Sequence, residues 1–247
     1  MNQTQDDGAE RRGYAICGEP RCGSTYFAAC LASTGKLGNP WEYFAGIERV
    51  RSANADPEAH LEHWVRHCST PNGVYGLKMF ARQFDLVEQS RWAERLPRLH
   101  FVHLTRVDLL AQAISLVRAE QTGAYESKHE PKRPPRYDAR RIAAELRRLS
   151  ANQGRWSAWF ARNGIDPLRL TYEDVAADVQ RCVDAVAALI GVEGPVPVEP
   201  HPMEVQRDEI SEEWRRSFVA ERRDLAWLDD DPLRLRPMLR RLRSRFW

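Results

Sequence analysis

The chain has 247 residues, of which 43% are apolar and 29% are charged, the composition of an ordinary globular protein. This length is typical of one large α/β domain, and a chain of this size can bury a complete core without disulfides or a structural metal. The formal net charge of +2 excludes a strongly basic nucleic-acid binder, and no apolar run reaches the roughly 18 residues that a membrane span needs.

The N-terminus and the cysteines point to the cytoplasm. Residues 1–12 are polar and lack the apolar stretch of a signal peptide, so we predict a disordered tail followed by a single domain over residues 13–247. The five cysteines are an odd number, with neither a C-x-x-C pair nor zinc-like spacing. They predict reduced thiols and no metal site.

Strand-like and helical patterns alternate along the chain. Short apolar runs predict strands at residues 14–17, 74–79, 99–104 and 168–171. Helical spacing predicts helices at residues 27–34, 61–68, 110–117, 142–160 and 175–190. The alternation predicts an α/β fold with a parallel sheet. Two polar, proline-rich segments, 123–137 and 195–210, are predicted to be loops at the substrate or donor site.

A glycine-rich turn joins the first predicted strand to the first predicted helix. The sequence YAICGEPRCGSTYF contains Gly18, four residues, then Gly23-Ser24-Thr25, the layout of a phosphate-binding loop. A nucleoside triphosphatase carries lysine where this chain has Ser24, and the loop's only cation is Arg21. The loop therefore suits a 5′-phosphate bearing one further group, although a strand–helix turn without function has the same pattern.

A second anion site is predicted after the third strand. Arg106 follows the carboxyl end of that strand, where ligands bind to open α/β sheets. Ser115 lies on the next helix, off its apolar stripe, so an arginine and a hydroxyl together suit a phosphate. Arg106 is equally well explained as a surface ion-pair partner. If both sites hold, the ligand is phosphorylated at two places.

Several stretches, in order along the chain, carry a family resemblance. They are PRCGSTYFAACLASTGKLGNPWEYF, GVYGLKMF, FVHLTRVDLLAQAISLVRAEQTGAY and LRLTYEDV. Together they resemble the bacterial PAPS-dependent carbohydrate sulfotransferases typified by the mycobacterial trehalose 2-sulfotransferase. The likeness runs from about residue 14 to residue 214, which is most of the chain.

The resemblance implies a fold and a reaction. The fold is P-loop-like, with three layers and a central parallel sheet flanked by helices. The donor is 3′-phosphoadenosine-5′-phosphosulfate (PAPS), no metal takes part, and the acceptor is a sugar hydroxyl. The acceptor is therefore a small-molecule partner. The cytoplasmic location and the absence of a nucleic-acid partner or membrane span are predicted from the cysteines, the N-terminus, the net charge and the apolar runs described above.

The resemblance also assigns residues to the donor. Arg21, Cys22, Gly23, Ser24 and Thr25 would bind the 5′-phosphosulfate, Arg106 and Ser115 the 3′-phosphate, Tyr172 the adenine, and Gln206 and Arg207 would close over the donor. The chain departs from the family pattern at Cys22, where serine is usual, and at Asn39, where relatives often carry an acid.

Sulfonate transfer needs a base for the attacking hydroxyl and positive charge at the leaving oxygen. The family's Pro-x-Glu-aromatic-Phe stretch matches residues 40–44, so Glu42 is the predicted general base. Arg21 would stabilise the leaving group, and Lys78 would be a second cation near the sulfonate. Glu42 as a surface ion-pair partner and Lys78 as an ordinary strand-end lysine are the alternatives. Other candidates for the base are His103 and the loop segment 126–129.

The acceptor side and the C-terminus carry weaker patterns. Five aromatic residues could form a platform for a sugar ring or belong to the core: Trp41, Tyr43, Phe44, Trp64 and Tyr125. Residues 232–247 predict a basic helix that packs on its own domain or, as in dimeric members of the family, on a second copy of the chain. A P-loop kinase or nucleoside triphosphatase and a non-catalytic nucleotide-binding protein are the competing functions.

Overall fold

The computed structural model describes residues 11–46, 63, 65, 68–83, 92–124, 133–199 and 209–223. Residues 1–10 of the predicted tail, most of the predicted helix 61–68, much of both proline-rich loops and the C-terminal helix lie outside the described residues, as do Trp64, Tyr125, Gln206 and Arg207. Two predicted bounds were wrong, because Arg12 of the tail already begins a strand and Glu209 of the loop 195–210 already begins a helix. Contacts divide the chain into two compact units, residues 1–108 with 151–205 and residues 109–150 with 206–247. The single domain over 13–247 stays a prediction.

The sheet of the first unit confirms all four predicted strands. They are β1 (Arg12–Gly18), β2 (Val74–Phe80), β3 (Leu99–Thr105) and β4 (Leu168–Thr171). Every pairing is parallel and the strand order is β2-β1-β3-β4. The chain leaves β1 toward β2 and later returns to β3 on the other side of β1. The order therefore reverses beside the carboxyl ends of β1 and β3, where such sheets bind ligands.

Seven α-helices accompany the sheet in the described part of the chain: α1 (Ser24–Ser33), α2 (Trp92–Arg95), α3 (Leu109–Thr122), α4 (Ala139–Arg162), α5 (Tyr172–Ala177), α6 (Val179–Leu189) and α7 (Glu209–Glu221). A short 3-10 helix spans Tyr43–Gly46. No described helix combines the length and the apolar character required to cross a membrane.

Helices cover both faces of the sheet in the first unit. Tyr14 and Ile16 of β1 belong to a core shared with α1, α5 and α6. Ala15 and Cys17, which alternate with them, belong to a second core that includes Trp156 of α4. Because successive side chains of a strand point to opposite faces, the continuous apolar sequence of β1 follows from burial on both sides. The predicted three-layer fold is confirmed.

One helix prediction was wrong in its extent. The spacing over residues 175–190 predicted a single helix, but the structure has α5 and α6 with a break at Asp178. Asp178 has φ −156° and ψ 88°, and its carboxylate accepts a hydrogen bond from the backbone N–H of Arg181 at 3.0 Å. An aspartate that caps a following helix competes with continuing the preceding one, and apolar periodicity alone does not reveal that competition.

The second unit has its own apolar cluster. Ile114 and Val117 of α3, Ile142 and Leu149 of α4, and Trp214 and Phe218 of α7 form its main contacts. The rings of Tyr137 and Trp214 meet edge to face, with centroids 5.9 Å apart. All five cysteines of the chain are buried and none forms a disulfide in the structure.

Candidate active site

The phosphate loop begins where β1 ends, and two glycines fix its path. A Cβ on Gly18 would lie 2.6 Å from the carbonyl oxygen of Leu104, so no larger residue fits beside β3. Gly23 has φ 81°, the left-handed conformation that glycine adopts at no steric cost. A Cβ there would meet the ring of Tyr172 at 2.7 Å. Both glycines are therefore required by close approach.

Helix α1 starts directly from the loop. Gly23 is its N-cap, and the carbonyl oxygen of Gly23 accepts the N–H of Phe27 at 3.0 Å. Because a glycine N-cap offers no side chain, the first N–H groups of α1 take no cap from it, and an anion is the natural partner for such groups. Arg21 also has a left-handed φ of 67°, which bends the loop before the helix.

Arg106 and Tyr172 lie against the loop. Arg106 follows β3 directly, and its Nη1 donates to the carbonyl oxygen of Arg21 at 3.3 Å. Its guanidinium carbon lies 4.5 Å from the ring centroid of Tyr172, a cation–π contact. Since the Tyr172 ring also packs on Gly23, the phosphate loop, Arg106 and Tyr172, which come from three separate stretches of the sequence, meet at the carboxyl edge of the sheet.

A local capping motif fixes the position of Tyr172. Thr171 caps α5 by accepting the N–H of Asp174 at 3.0 Å, and the Asp174 carboxylate accepts the N–H of Thr171 at 2.9 Å. The hydrogen bonds from Thr171, chiefly that of its side chain, lower the pKa of Asp174. The Glu173 carboxylate accepts the N–H groups of Val107 and Asp108 at 3.1 and 3.3 Å. The start of α5 is thereby tied to the segment after β3.

The predicted base and second cation form an ion pair. Lys78 Nζ lies 3.0 Å from Glu42 Oε1 and donates to Thr25 Oγ1 at 3.1 Å. The Lys78 side chain is 1% exposed and that of Glu42 is 29% exposed. A lysine from β2 therefore contacts the loop that lacks one of its own. Through Thr25 it connects the phosphate loop to the carboxylate.

Gln83 was not predicted from the sequence. It is buried, and its Nε2 donates to Glu42 Oε2 at 3.1 Å while its Oε1 accepts the N–H of Phe80 at 2.9 Å. Both carboxylate oxygens of Glu42 therefore have a donor, one from Lys78 and one from Gln83. No local pattern marks a glutamine three residues after a strand as a partner of a residue 41 positions earlier.

Glu19 and Asn152 were also missed. The Glu19 carboxylate, 3% exposed, accepts the N–H of Ala81 at 3.1 Å and the amide of Asn152 at 2.9 Å. Beside it, Trp156 Nε1 donates to the carbonyl oxygen of Gly18 at 3.3 Å. These contacts attach the phosphate loop to the end of β2 and to α4, which stabilises its shape because a buried carboxylate is costly without donors.

Comparison with known proteins identifies the family. The family model described as Stf0 sulphotransferase matches residues 13–221. The chain belongs to this sulphotransferase family. This membership decides against a kinase or nucleoside triphosphatase.

Two curated relatives of the sulfotransferase are named trehalose 2-sulfotransferase. The protein of Mycobacterium tuberculosis (strain ATCC 35801 / TMC 107 / Erdman) is 32% identical over 242 residues, covering 85% of this chain and 88% of the relative. That of Mycolicibacterium smegmatis is 27% identical over 248 residues, covering 81% and 92%. A solved sulfotransferase from Alicyclobacillus acidocaldarius aligns with a TM-score of 0.44 at 18% identity, covering 89% of this chain and 94% of that one.

His103, an alternative base in the sulfotransferase, lies on the other face of the sheet. It pairs in register with Cys17, whereas Lys78 pairs with Ile16, and adjacent strand residues point to opposite faces. The His103 ring lies 5.4 Å from that of Phe160, and burial lowers its pKa to about 4. The structure therefore assigns His103 to the core facing α4.

The remaining predicted residues have different outcomes. Ser115 is half-buried on α3 in the second unit, and its role beside Arg106 stays a prediction. Cys22 is buried in the loop, where its N–H donates to the Glu19 carbonyl oxygen at 3.3 Å and burial raises the pKa of its thiol.

Within the described ranges, no group of three or more histidine, cysteine, aspartate or glutamate residues has the arrangement of a metal site.

The aromatic residues at positions 41, 43 and 44 differ in exposure. Phe44 is 1% exposed and belongs to the core, while Trp41 is 53% exposed. Tyr43 is half-buried and its hydroxyl donates to the carbonyl oxygen of Asn39 at 2.6 Å. Burial raises the pKa of Tyr43 well above its ordinary value. Phe44 therefore belongs to the core and not to a sugar-binding platform, whereas Trp41, next to Glu42 in the sequence, has an exposed ring.

Proposed function

We propose that this sulfotransferase moves a sulfonate group from PAPS to a hydroxyl of a carbohydrate or sugar-containing small molecule. The observation that carries the proposal is the contact chain from Thr25 through Lys78 to Glu42. It joins a phosphate loop to a carboxylate, as transfer from a bound nucleotide to a hydroxyl requires. The names of the two mycobacterial relatives support a sugar acceptor, with trehalose as the first compound to test.

The donor would lie along the carboxyl edge of the sheet. Arg21, Ser24, Thr25 and the loop backbone, including Cys22 and Gly23, would hold the 5′-phosphosulfate. Arg106 and Ser115 would hold the 3′-phosphate, Tyr172 would contact the adenine, and Gln206 with Arg207 would close over it. The fit is supported by the close approach of Tyr172 to Gly23 and by the guanidinium of Arg106 over the Tyr172 ring.

The transfer would be an in-line displacement at sulfur. The acceptor oxygen forms a bond to sulfur as the bond to the bridging phosphate oxygen breaks. The proton of the hydroxyl goes to Glu42, and the electron pair of the broken bond goes to the 5′-phosphate of the leaving nucleotide. Lys78 and Arg21 supply positive charge near the transferring group and the leaving oxygen. Gln83 would keep the second oxygen of Glu42 in place.

The setting of the reaction is part of the proposal. Buried, unpaired cysteines are the usual state in a reducing compartment, which supports a cytoplasmic enzyme. The family resemblance supports a homodimer, whose test is light scattering at micromolar concentration. A single monomeric species would refute the proposed homodimer and would leave the proposed reaction unaffected.

Ligand-dependent melting followed by transfer tests the function. We expect 3′,5′-diphosphoadenosine, the desulfonated donor, to raise the melting temperature more than ATP with Mg²⁺, because bound ligands stabilise the folded state. Radiolabelled PAPS offered with trehalose and a glycan panel should give a labelled carbohydrate. Stabilisation by ATP–Mg²⁺ alone would overturn the donor, and donor binding without any product would indicate a non-catalytic nucleotide-binding protein.

A further inference from the structure

We propose that Trp41 is the platform on which the sugar ring of the acceptor stacks, and that it decides which hydroxyl reaches Glu42. The inference rests on the proposed function, because it names the part of that site that recognises a carbohydrate. Trp41 is the residue directly before the predicted base, and 53% of its surface is exposed. Tryptophan is enriched at binding surfaces because its indole combines an apolar face with an N–H donor.

The backbone of Trp41 is held in place despite the exposure of its side chain. The residue forms an isolated parallel bridge with Leu77 of β2. Its carbonyl oxygen accepts the N–H of Lys78 at 2.9 Å and that of Tyr43 at 3.0 Å. The backbone that carries the indole is therefore fixed at the edge of the sheet before any ligand arrives, which lowers the entropy lost on binding.

The ring lies close to the reacting groups. Lys78 Nζ is 5.2 Å from the Trp41 ring centroid, 5.6 Å from that of Phe80, and 3.0 Å from Glu42 Oε1. The Lys78 ammonium thus contacts two aromatic rings, those of Trp41 and Phe80, and one carboxylate, that of Glu42. The Trp41 ring and the Glu42 carboxylate therefore contact the same ammonium, so a molecule stacked on the ring would have its edge near the carboxylate.

A pyranose matches this surface. One face of the ring carries C–H bonds, whose slight positive charge is attracted to the negative face of an indole, while the hydroxyls project around the rim. Stacking on Trp41 directs rim hydroxyls toward Glu42, and the rotation of the sugar on the indole then selects one of them. A flexible aliphatic alcohol would gain less from the same ring because it lacks a flat apolar face.

Two substitutions test the platform. In Trp41→Ala we expect the KM for the carbohydrate acceptor to rise at least about tenfold, with an intermediate rise in Trp41→Phe, which retains a ring. The affinity for diphosphoadenosine should stay within about twofold of wild type, and the sulfonated product should spread over more than one hydroxyl. Acceptor kinetics, calorimetry and NMR of the product measure these three effects. Val219→Ala, an exposed apolar side chain on α7, is the matched control.

The outcomes separate this inference from the proposed function. If the wild-type protein labels no carbohydrate, the proposed acceptor class fails and the platform fails with it. If the wild type labels a carbohydrate and Trp41→Ala keeps the same KM and the same product, only the platform is overturned. A loss of diphosphoadenosine affinity in both Trp41 variants would also overturn it, because it would assign Trp41 a structural role shared with the donor site.

Discussion

The two sides of the candidate active site are built differently. The proposed donor side consists of segments that directly follow strands, and its geometry depends on backbone conformation: the left-handed Gly23, the start of α1 without a side-chain cap and the capped start of α5. The Glu42 side depends on side-chain contacts between residues far apart in sequence. We therefore expect substitutions on one side to leave the function of the other side intact.

The largest expected effect is on the Glu42 side. Glu42→Gln keeps the shape of the side chain but cannot accept the acceptor's proton, so kcat should fall at least about a hundredfold. The affinity for diphosphoadenosine should remain near that of wild type, because the residues proposed to bind the donor are unchanged. Steady-state kinetics and calorimetry measure the two quantities, and Glu193→Gln, at an exposed carboxylate, is the control. Equal loss of rate and of donor affinity would show that the two sides are not separable.

The donor side should give the reverse result. Arg106→Ala removes a guanidinium from the predicted 3′-phosphate site, and we expect the Kd for diphosphoadenosine to rise about 10- to 100-fold with little change in kcat. Arg21→Ala should weaken binding and also lower kcat, because Arg21 is assigned to the leaving oxygen. Calorimetry with adenosine 5′-phosphate as a second ligand checks the assignment. If Arg106→Ala weakens both nucleotides equally, the 3′-phosphate assignment is wrong.

Gln83 tests whether the carboxylate must be held. Gln83→Met keeps the volume but removes the amide that donates to Glu42, and leaves the Phe80 N–H without its acceptor, so a stability loss of about 1–3 kcal/mol is expected. We expect kcat to fall about tenfold at unchanged donor affinity, since a misplaced base is slower. Denaturant unfolding separates the stability loss from the kinetic one. Wild-type kcat in a destabilised variant would assign Gln83 to the fold alone.

The smallest effect on activity is expected at His103. Its folded-state pKa of about 4 lies below the ordinary 6.5, so between these values the unfolded chain takes up a proton that the folded protein does not. Stability should therefore be full above pH 6.5 and fall as the pH drops toward 4. His103→Phe should make this pH dependence shallower and leave kcat at pH 7.5 within about twofold of wild type. A hundredfold loss of rate would make His103 a candidate base again.

The sequence predicted the features that depend on local patterns and missed those that depend on contacts between residues far apart in the chain. The strands and the phosphate loop carry local patterns, and the structure has the strands where the patterns predicted them. Tyr172 was assigned through the family resemblance. Gln83 and Asn152 could not be predicted because their partners lie 41 and 133 positions away. The break at Asp178 was missed because an apolar stripe can continue across a cap. Phe44 is buried and Trp41 is exposed because of tertiary packing, which cannot be predicted from the presence of aromatic residues at neighbouring positions.

A single-turnover measurement tests the central claim most directly. The protein is preloaded with one equivalent of radiolabelled PAPS, mixed with trehalose or another carbohydrate from the panel, and sampled for labelled product. We expect the wild type to transfer the label rapidly, and the Glu42→Gln protein to bind the donor but to transfer the label at least about a hundredfold more slowly. Label that reaches no carbohydrate, or that Glu42→Gln transfers at the wild-type rate, would contradict it.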